Sequence, residues 1–189
     1  MPVFVGYAKH NDCMTTIQRS AELKGTPHRV LFVCLGNICR SPTAEGVLRH
    51  LAAKQAPHLA LEIDSAGTAD YHIGAPPDLR SQRAALRRGI DISGLQARQV
   101  TRGDFERFDL LLAMDRENLR ELQTLKPRGS HDLVKLFLEY APELNLRDVP
   151  DPYYRDSAAF EQVLDLTTAA SRGLLAALSC TSDKTSARW

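Results

Sequence analysis

The sequence lacks the features that mark disulfide-rich, nucleic-acid-binding and membrane-spanning proteins. Its 189 residues include four cysteines, and 24 lysines and arginines nearly balance 23 aspartates and glutamates. Because Cys13 and Cys180 lie near the two ends, the cysteines do not form a disulfide framework. The near-zero net charge argues against nucleic acid or an anionic membrane surface as the main partner. No apolar run approaches the roughly 18 residues that cross a bilayer.

The amino-terminal segment lacks both a basic leader and a long apolar stretch, so we do not expect a signal peptide. Residues 1–28 show no sustained hydrophobic periodicity and end in KGTP, and we expect them to form a flexible extension. A single domain is expected over residues 29–178, followed by a short polar tail at 179–189.

A strand, a tight loop and a helix are predicted in residues 30–56. The apolar run VLFV predicts a buried strand, and the glycine and asparagine that follow tolerate unusual backbone angles. Ser41 and Pro42 predict the N-cap and the first residue of a helix that continues from Thr43 to about Ala56. The free backbone N–H groups of such a loop point at one spot beside the positive helix end, which binds an anion such as phosphate.

Cys34 and Arg40 enclose this loop in the pattern Cys-x5-Arg. Inward N–H groups, a helix N-terminus and a nearby guanidinium all favour the thiolate, which is a nucleophile. Arg40 can also donate two N–H bonds to the oxygens of a transferring phosphoryl group. The pair therefore predicts a covalent phosphocysteine intermediate. A buried cysteine and a surface arginine that happen to be six residues apart are the alternative, which the flanking strand, Gly-Asn and Ser-Pro disfavour.

These residues resemble the signature loop of the low-molecular-weight protein tyrosine phosphatases. The resemblance rests on VCLGNICRSP at residues 33–42, followed by Ala44 and Glu45, and extends over about residues 29–178. It implies a phosphate-binding loop formed by Leu35, Gly36, Asn37, Ile38, Cys39, Arg40 and Ser41. It also implies that Ser65 supports the loop through a hydrogen bond to Asn37, and that Ser41 bonds the Cys34 sulfur and eases its departure.

Asp151 is the candidate general acid and base. Pro150 and Pro152 restrict the backbone on either side of it, and a carboxyl on a stiff loop suits precise proton transfer. Asp-Pro alone is a common turn, so the role is implied by the match to the Asp-Pro loop of the family. The resemblance further implies that Tyr153 and Tyr154 line the substrate cleft and stack on an aromatic substrate.

We also expect roles in the cleft or the loop for Tyr71, Ile38 and Cys39. Tyr71 occupies a position where the family has an aromatic or variable wall of the cleft, and Ile38 is expected to narrow the cleft. Cys39 lies close enough in sequence to Cys34 to trap it in a reversible disulfide, which would shield it from irreversible oxidation.

Alternating strands and helices predict a three-layer α/β/α fold with a parallel sheet, and the family implies four strands in the flavodoxin-like order 2-1-3-4. The active loop then follows the carboxyl end of the first strand. The remaining strands are predicted at 59–68, 109–114 and 133–137, and the remaining helices at 79–88, 116–125 and 157–178.

We therefore expect a cysteine-dependent protein tyrosine phosphatase, a phosphoric monoester hydrolase. No metal or cofactor is predicted, because Cys34, Arg40 and Asp151 supply the nucleophile, charge stabilisation and acid, and the histidines show no ligand spacing. The expected partners are tyrosine-phosphorylated proteins, with no nucleic acid and no membrane, and we expect a monomer or weak dimer. A working thiolate favours a reducing compartment, hence the cytoplasm.

Three alternatives stay open. A protein-arginine phosphatase of the same family typically has threonine where this sequence has Ile38, whose bulk favours phosphotyrosine. A thioredoxin-coupled arsenate reductase shares the fold but needs an additional cysteine pair in mid-chain, and none lies between Cys39 and Cys180. A redox sensor or noncatalytic phosphotyrosine-binding module would use the disulfide of Cys34 but would have no use for Asp151.

Overall fold

The computed structural model describes residues 29–130 and 133–186. The predicted extension at 1–28 therefore lies outside the described residues. The strands are β1 (Arg29–Cys34), β2 (Glu62–Gly67), β3 (Leu110–Ala113) and β4 (Leu133–Leu136). The helices are α1 (Arg40–Gln55), α2 (Leu79–Arg87), α3 (Asp104–Arg107), α4 (Arg116–Leu125) and α5 (Ser157–Ser186), with short 3₁₀ helices at Phe137–Tyr140 and Pro142–Leu144.

The four strands form one parallel sheet in the order β2-β1-β3-β4, as predicted. β1 is paired on both sides, so its carboxyl end meets the ends of two neighbours: Cys34 is in register with Gly67 and Val33 with Ala113. The chain leaves β1 toward β2 on one side and later returns to β3 on the other. This reversal creates a crevice at the carboxyl ends of the strands, where open α/β sheets bind ligands.

Alternate side chains of β1 enter two separate hydrophobic cores. Val30 and Phe32 belong to the larger core, which α1 and α5 cover. Leu31 and Val33 belong to the smaller core, which α3 and α4 cover. A strand that is buried on both faces is uniformly apolar, which explains why VLFV shows no alternation. The predicted three-layer arrangement is confirmed.

Two helix boundaries differ from the sequence prediction. Helix α1 begins at Arg40 and has Cys39 as its N-cap, so the assignment of Ser41 as N-cap is wrong. The Ser41 hydroxyl lies instead in the first turn, where it contacts the Cys34 sulfur. Helix α5 does not end near Leu178 but continues to Ser186, because no glycine or proline interrupts the sequence there. The tail predicted at 179–189 is thus helical over its described part.

The long helix α5 approaches the 3₁₀ helix Phe137–Tyr140 most closely at Gly173. A Cβ atom at Gly173 would lie 1.8 Å from the backbone carbonyl oxygen of Tyr140. Real Cβ atoms do not approach a backbone oxygen so closely, so a glycine is required for α5 to cover the core. The packing at this point holds α5 against the sheet.

We expect Gly173→Ala to lower the free energy of unfolding by about 3 kcal/mol, because one backbone segment must move out of a packed core. In an open helix the same change would stabilise the protein by about 1 kcal/mol. Urea denaturation measures the difference. Gly94→Ala is the matched control, since a Cβ there meets no atom within 4 Å and stability should stay nearly unchanged. Equal stability of the two variants would contradict this packing.

Candidate active site

The loop between β1 and α1 has one residue in a left-handed conformation. Asn37 has φ 54°, which asparagine tolerates better than most residues, and its backbone N–H donates to the Cys34 sulfur at 3.2 Å. Gly36, by contrast, is not among the described glycines with positive φ, so Asn37 is the residue of this pair that uses an unusual backbone angle. A Cβ at Gly36 would lie 2.9 Å from Cδ2 of His72, so the His72 ring would have to move to accept a side chain there.

The buried Cys34 sulfur is surrounded by polar groups. Its Sγ lies 3.1 Å from the Ser41 hydroxyl, as the resemblance implied. The Asn37 side-chain nitrogen donates at 2.9 Å to Ser41 and at 2.9 Å to Ser65, so the predicted contact between Asn37 and Ser65 is present as well. The side-chain oxygen of Asn37 accepts from the backbone N–H of Arg98 at 2.9 Å. Both polar atoms of the Asn37 side chain therefore make hydrogen bonds that hold the loop.

Arg40 is a buried cation whose side chain is 4% exposed. One terminal nitrogen donates to Asp115 and to the Val149 carbonyl, and the other donates to Asp151 at 2.7 Å. Burial alone would lower the pKa of Arg40, but the facing charges of Cys34, Asp151 and Asp115 raise it above its ordinary value. The guanidinium is therefore permanently charged at the base of the cleft.

Asp151 lies directly opposite Arg40 on the loop that precedes α5. One carboxylate oxygen is bonded to Arg40, and the other accepts from the Tyr153 backbone N–H at 3.0 Å. The side chain is 45% exposed, so its position is open to the cleft. The structure thus brings Asp151 together with Cys34 and Arg40, which are 111 residues or more distant from it in the chain.

A cleft of about 480 Å³ opens above the sulfur. The predicted loop residues Leu35, Gly36, Ile38, Cys39 and Arg40 line it, together with Cys34, Tyr71, His72, Asp151, Tyr153 and Tyr154. Asn37, Ser41 and Ser65 are buried outside this lining, where they support the loop.

The aromatic residues of the cleft differ in how firmly they are held. The Tyr153 ring lies under the Arg80 guanidinium, 5.5 Å from its centre, and meets the Tyr154 ring edge-on at 4.8 Å. Tyr154 is 96% exposed and Tyr71 is 76% exposed. Tyr153 is thus the anchored wall of the cleft, and the other two are free to adapt to a substrate.

Cys39 is buried five residues after Cys34. Burial, together with the nearby charge of Asp78, raises the pKa of the Cys39 thiol to about 12, although a hydrogen bond with Ser81 opposes this. Among the described residues, Cys34, Cys39 and Cys180 form no disulfide bond. Cys39 is thus a neutral thiol in the wall of the cleft at physiological pH.

Three further residues of the site are apparent only in the structure. Asp115 caps α4 with one oxygen, and its second oxygen also binds Arg40. His72 lines the cleft. Glu45 was noted only as part of the family motif. Glu45 lies in the first two turns of α1, where the neighbouring residues are buried as well. Because a buried carboxylate needs polar partners, a glutamate at such a position is the signal that could have revealed the role of Glu45.

Comparisons with known proteins all indicate the same family. The family model described as low molecular weight phosphotyrosine protein phosphatase matches residues 29–184. The chain is 44% identical over 149 residues to the low molecular weight protein-tyrosine-phosphatase YfkJ of Bacillus subtilis, covering 79% of this chain and 94% of that protein. It is 43% identical over 148 residues to the low molecular weight phosphotyrosine protein phosphatase of Homo sapiens, covering 77% and 92%.

Comparison with solved structures also finds phosphatases with a similar fold. The crystal structure of YfkJ is similar with a TM-score of 0.76 at 42% identity, covering 83% of this chain and 98% of that one. The crystal structure of a Drosophila arginine phosphatase is similar with a TM-score of 0.73 at 30% identity, covering 78% and 95%.

The high pKa of the Cys39 thiol leads to a prediction about which cysteine is chemically labelled. With a pKa of about 12, only about one Cys39 thiol in 10⁵ is ionised at pH 7, and the thiolate is the form that reacts with iodoacetamide. We expect peptide mapping after brief labelling at pH 7 to find Cys34 modified and Cys39 unmodified. Labelling of Cys39 should rise about tenfold per pH unit until the protein unfolds. Comparable labelling of both cysteines at pH 7 would contradict this description.

Proposed function

The chain belongs to the low molecular weight phosphotyrosine protein phosphatase family and is a hydrolase, and from this premise we propose which described residues perform the reaction. The observation that supports the assignment is the convergence of the Cys34 sulfur, the Arg40 guanidinium and the Asp151 carboxyl on one cleft. These three groups are a nucleophile, an anion site and a proton donor. Together they are what hydrolysis of a phosphate monoester through a covalent intermediate requires.

In the first step the Cys34 thiolate attacks phosphorus and the bond to the tyrosine oxygen breaks. Arg40 binds the phosphoryl oxygens, and Asp151 gives its proton to the leaving phenoxide. In the structure Asp151 is bonded to the same guanidinium. An incoming phosphate takes over this N–H group and releases the Asp151 carboxylate toward the ester oxygen. Beside the negative charge of the phosphate, the carboxylate binds a proton from solvent, which it then gives to the leaving phenoxide.

In the second step water attacks the phosphocysteine. Asp151, now a carboxylate, removes a proton from that water, and Cys34 leaves as the thiolate. Because the Ser41 hydroxyl lies 3.1 Å from the sulfur, it is placed to donate to the leaving thiolate and stabilise it. Asp115 stays bonded to Arg40 throughout and keeps its guanidinium aimed at the phosphate.

The proposed substrate is a tyrosine-phosphorylated protein, and the chain acts as a monomer or weak dimer in the reducing cytoplasm. Ile38 and Tyr153 both line the cleft, and their apolar surfaces suit contact with a flat phenol ring. Phosphoarginine is the competing substrate, since one similar structure is described as an arginine phosphatase. Parallel hydrolysis of phosphotyrosine and phosphoarginine peptides separates the two, and a preference for phosphoarginine would contradict our proposal.

No helix in the described part of the chain is both long and apolar enough to cross a membrane. In residues 29–130 and 133–186, no group of three His, Cys, Asp or Glu side chains is placed to hold a metal ion. We propose that Cys39 acts as a redox partner of Cys34 when a peroxide is the oxidant. The peroxide oxidises the Cys34 sulfur to a sulfenic acid, and Cys39 then attacks that sulfur, loses its proton and forms a disulfide while water leaves. A neutral Cys39 thiol is the less reactive of the two toward the peroxide itself.

We expect Cys34→Ser to abolish phosphate release from a phosphotyrosine peptide in the presence of a chelator, since a hydroxyl in this position is far less ionised than a thiol. Cys180→Ser is the control, because this exposed cysteine lies on α5 outside the cleft. Its activity should equal that of the unchanged chain. Residual turnover by Cys34→Ser above the chelated blank would refute the nucleophile assignment.

Asp151→Asn should lower kcat/KM, which reports the first step alone, by about 100-fold or more with phenyl phosphate, because an amide cannot protonate a poor leaving group. The loss of kcat/KM should be smaller with p-nitrophenyl phosphate, whose leaving group needs less protonation. Asp70→Asn, an exposed carboxylate next to Tyr71, is the control for charge and should change kcat/KM little. If kcat/KM of Asp151→Asn falls by the same factor with both esters, Asp151 is not the acid.

A further inference from the structure

An arginine in the first turn of α2 lies between two aromatic rings at the edge of the cleft. The guanidinium carbon of Arg80 is 5.5 Å from the centre of the Tyr153 ring and 4.6 Å from the centre of the Phe160 ring. We propose that Arg80 is a positioning residue that sets the preference of the cleft for aryl phosphates, because it holds Tyr153 at a fixed distance from the phosphate-binding loop. The inference rests on the proposed function, the hydrolysis of phosphotyrosine in this cleft.

Asp78 and Phe160 hold the Arg80 guanidinium from two directions. Both carboxylate oxygens of Asp78 accept from it, at 3.0 and 2.8 Å, and such a two-point contact leaves the planar group little freedom to turn. The hydrogen bonds from Arg80 also lower the pKa of Asp78 below its ordinary value. Phe160 is 3% exposed and lies on α5, so its ring is a rigid support for the guanidinium.

Asp78 also joins this pair to the phosphate-binding loop. It is the N-cap of α2, where its side chain accepts from the Arg80 backbone N–H at 2.7 Å. Its own backbone N–H donates to the Ile38 carbonyl at 2.8 Å. Ile38 and Tyr153 both line the cleft. The contacts that lead from Ile38 through Asp78 and Arg80 to the Tyr153 ring therefore determine how far this ring lies from the loop.

The Tyr153 ring receives less support from its other neighbours. The Tyr153 backbone N–H donates to Asp151, but this bond does not fix the rotation of the side chain. Tyr154 meets the ring edge-on but is itself 96% exposed, and the centre of the His72 ring lies 6.4 Å away. A cation held against the face of an aromatic ring is attracted by the electrons of that ring. Arg80 is therefore the contact that keeps the Tyr153 side chain in one orientation.

A fixed Tyr153 ring favours ligands that carry a ring of their own. The phosphate group of any monoester uses the same loop, so contacts with that group do not distinguish aryl from alkyl esters. A phenol ring beside the phosphate extends far enough to contact Ile38 and Tyr153, whereas a methyl group does not. If the Tyr153 side chain were free to turn, an aryl ligand would have to order it, which costs conformational entropy. Loss of Arg80 should therefore weaken the binding of aryl ligands selectively.

Two phosphonates with the same head group test the proposal in the full chain, since benzylphosphonate carries an aromatic ring and methylphosphonate does not. Titration followed by phosphorus NMR measures the Kd of each. We expect Arg80→Met to raise the Kd of benzylphosphonate about fivefold and to leave that of methylphosphonate within about twofold. With a phosphotyrosine peptide, KM should rise by a similar factor while kcat stays within about twofold. Arg87→Met, which removes an exposed ion pair between α2 and Glu161 of α5, should match the unchanged chain.

Two further variants separate the support of Tyr153 from other effects of the substitution. In Tyr153→Ala the ring that Arg80 holds is absent, so adding Arg80→Met should not weaken the binding of benzylphosphonate further. Asp78→Asn keeps a good N-cap for α2 but loses the ion pair with Arg80. It should therefore raise the Kd of benzylphosphonate about threefold and leave that of methylphosphonate nearly unchanged.

Equal losses of affinity for both phosphonates in Arg80→Met would overturn the proposal, because the effect would then lie in the phosphate site. So would an unchanged Kd for benzylphosphonate, or additive effects of Arg80→Met and Tyr153→Ala. Binding of the phosphonates does not require turnover. If the variants shift the Kd of benzylphosphonate as expected while the unchanged chain fails to hydrolyse phosphotyrosine, the proposed function fails and the role of Arg80 stands. An unchanged chain that binds neither phosphonate would contradict both.

Discussion

The site depends on the burial of one charged side chain, the Arg40 guanidinium. A cation removed from water must be paired, and leaving it unpaired costs about 3–5 kcal/mol. Asp115 after β3, the Val149 carbonyl and Asp151 before α5 provide that pairing. The need to compensate Arg40 therefore gathers three segments that are distant in the chain around the end of β1. One of these partners, Asp151, is the carboxyl that we propose as general acid and base.

In the mechanism that we propose, one carboxyl serves both in the free protein and in catalysis. Asp151 stabilises Arg40 in the free protein, and a phosphate would be the better partner for the guanidinium because it offers more charge. In that mechanism the exchange of partners couples substrate binding to release of the acid. Asp115, bonded also to the N-terminus of α4, would stay in place and keep the guanidinium from turning away.

The fold could be predicted because its signals are local. VLFV is buried on both faces, and Asp78 and Asp115, a residue type that favours the N-cap, cap their helices through short side-chain contacts. The nucleophile, the anion site and the acid came from the Cys-x5-Arg pattern and the family resemblance. No local sequence pattern indicated the contacts between residues that are distant in the chain. The packing of His72 on Gly36, the second bond of Asp115 and the link from Glu45 through Ser65 all join residues that only the folded sheet brings together.

The proposed reaction transfers the phosphoryl group to Cys34, so trapping phosphocysteine is its most direct test. Asp151→Asn is expected to slow attack of water, so the variant should accumulate phosphocysteine when it is given p-nitrophenyl phosphate with radiolabelled phosphorus and quenched within the first turnover. We expect label on the peptide that contains Cys34, and none after prior alkylation of that sulfur. Turnover without label on the protein, or label on another residue, would contradict it.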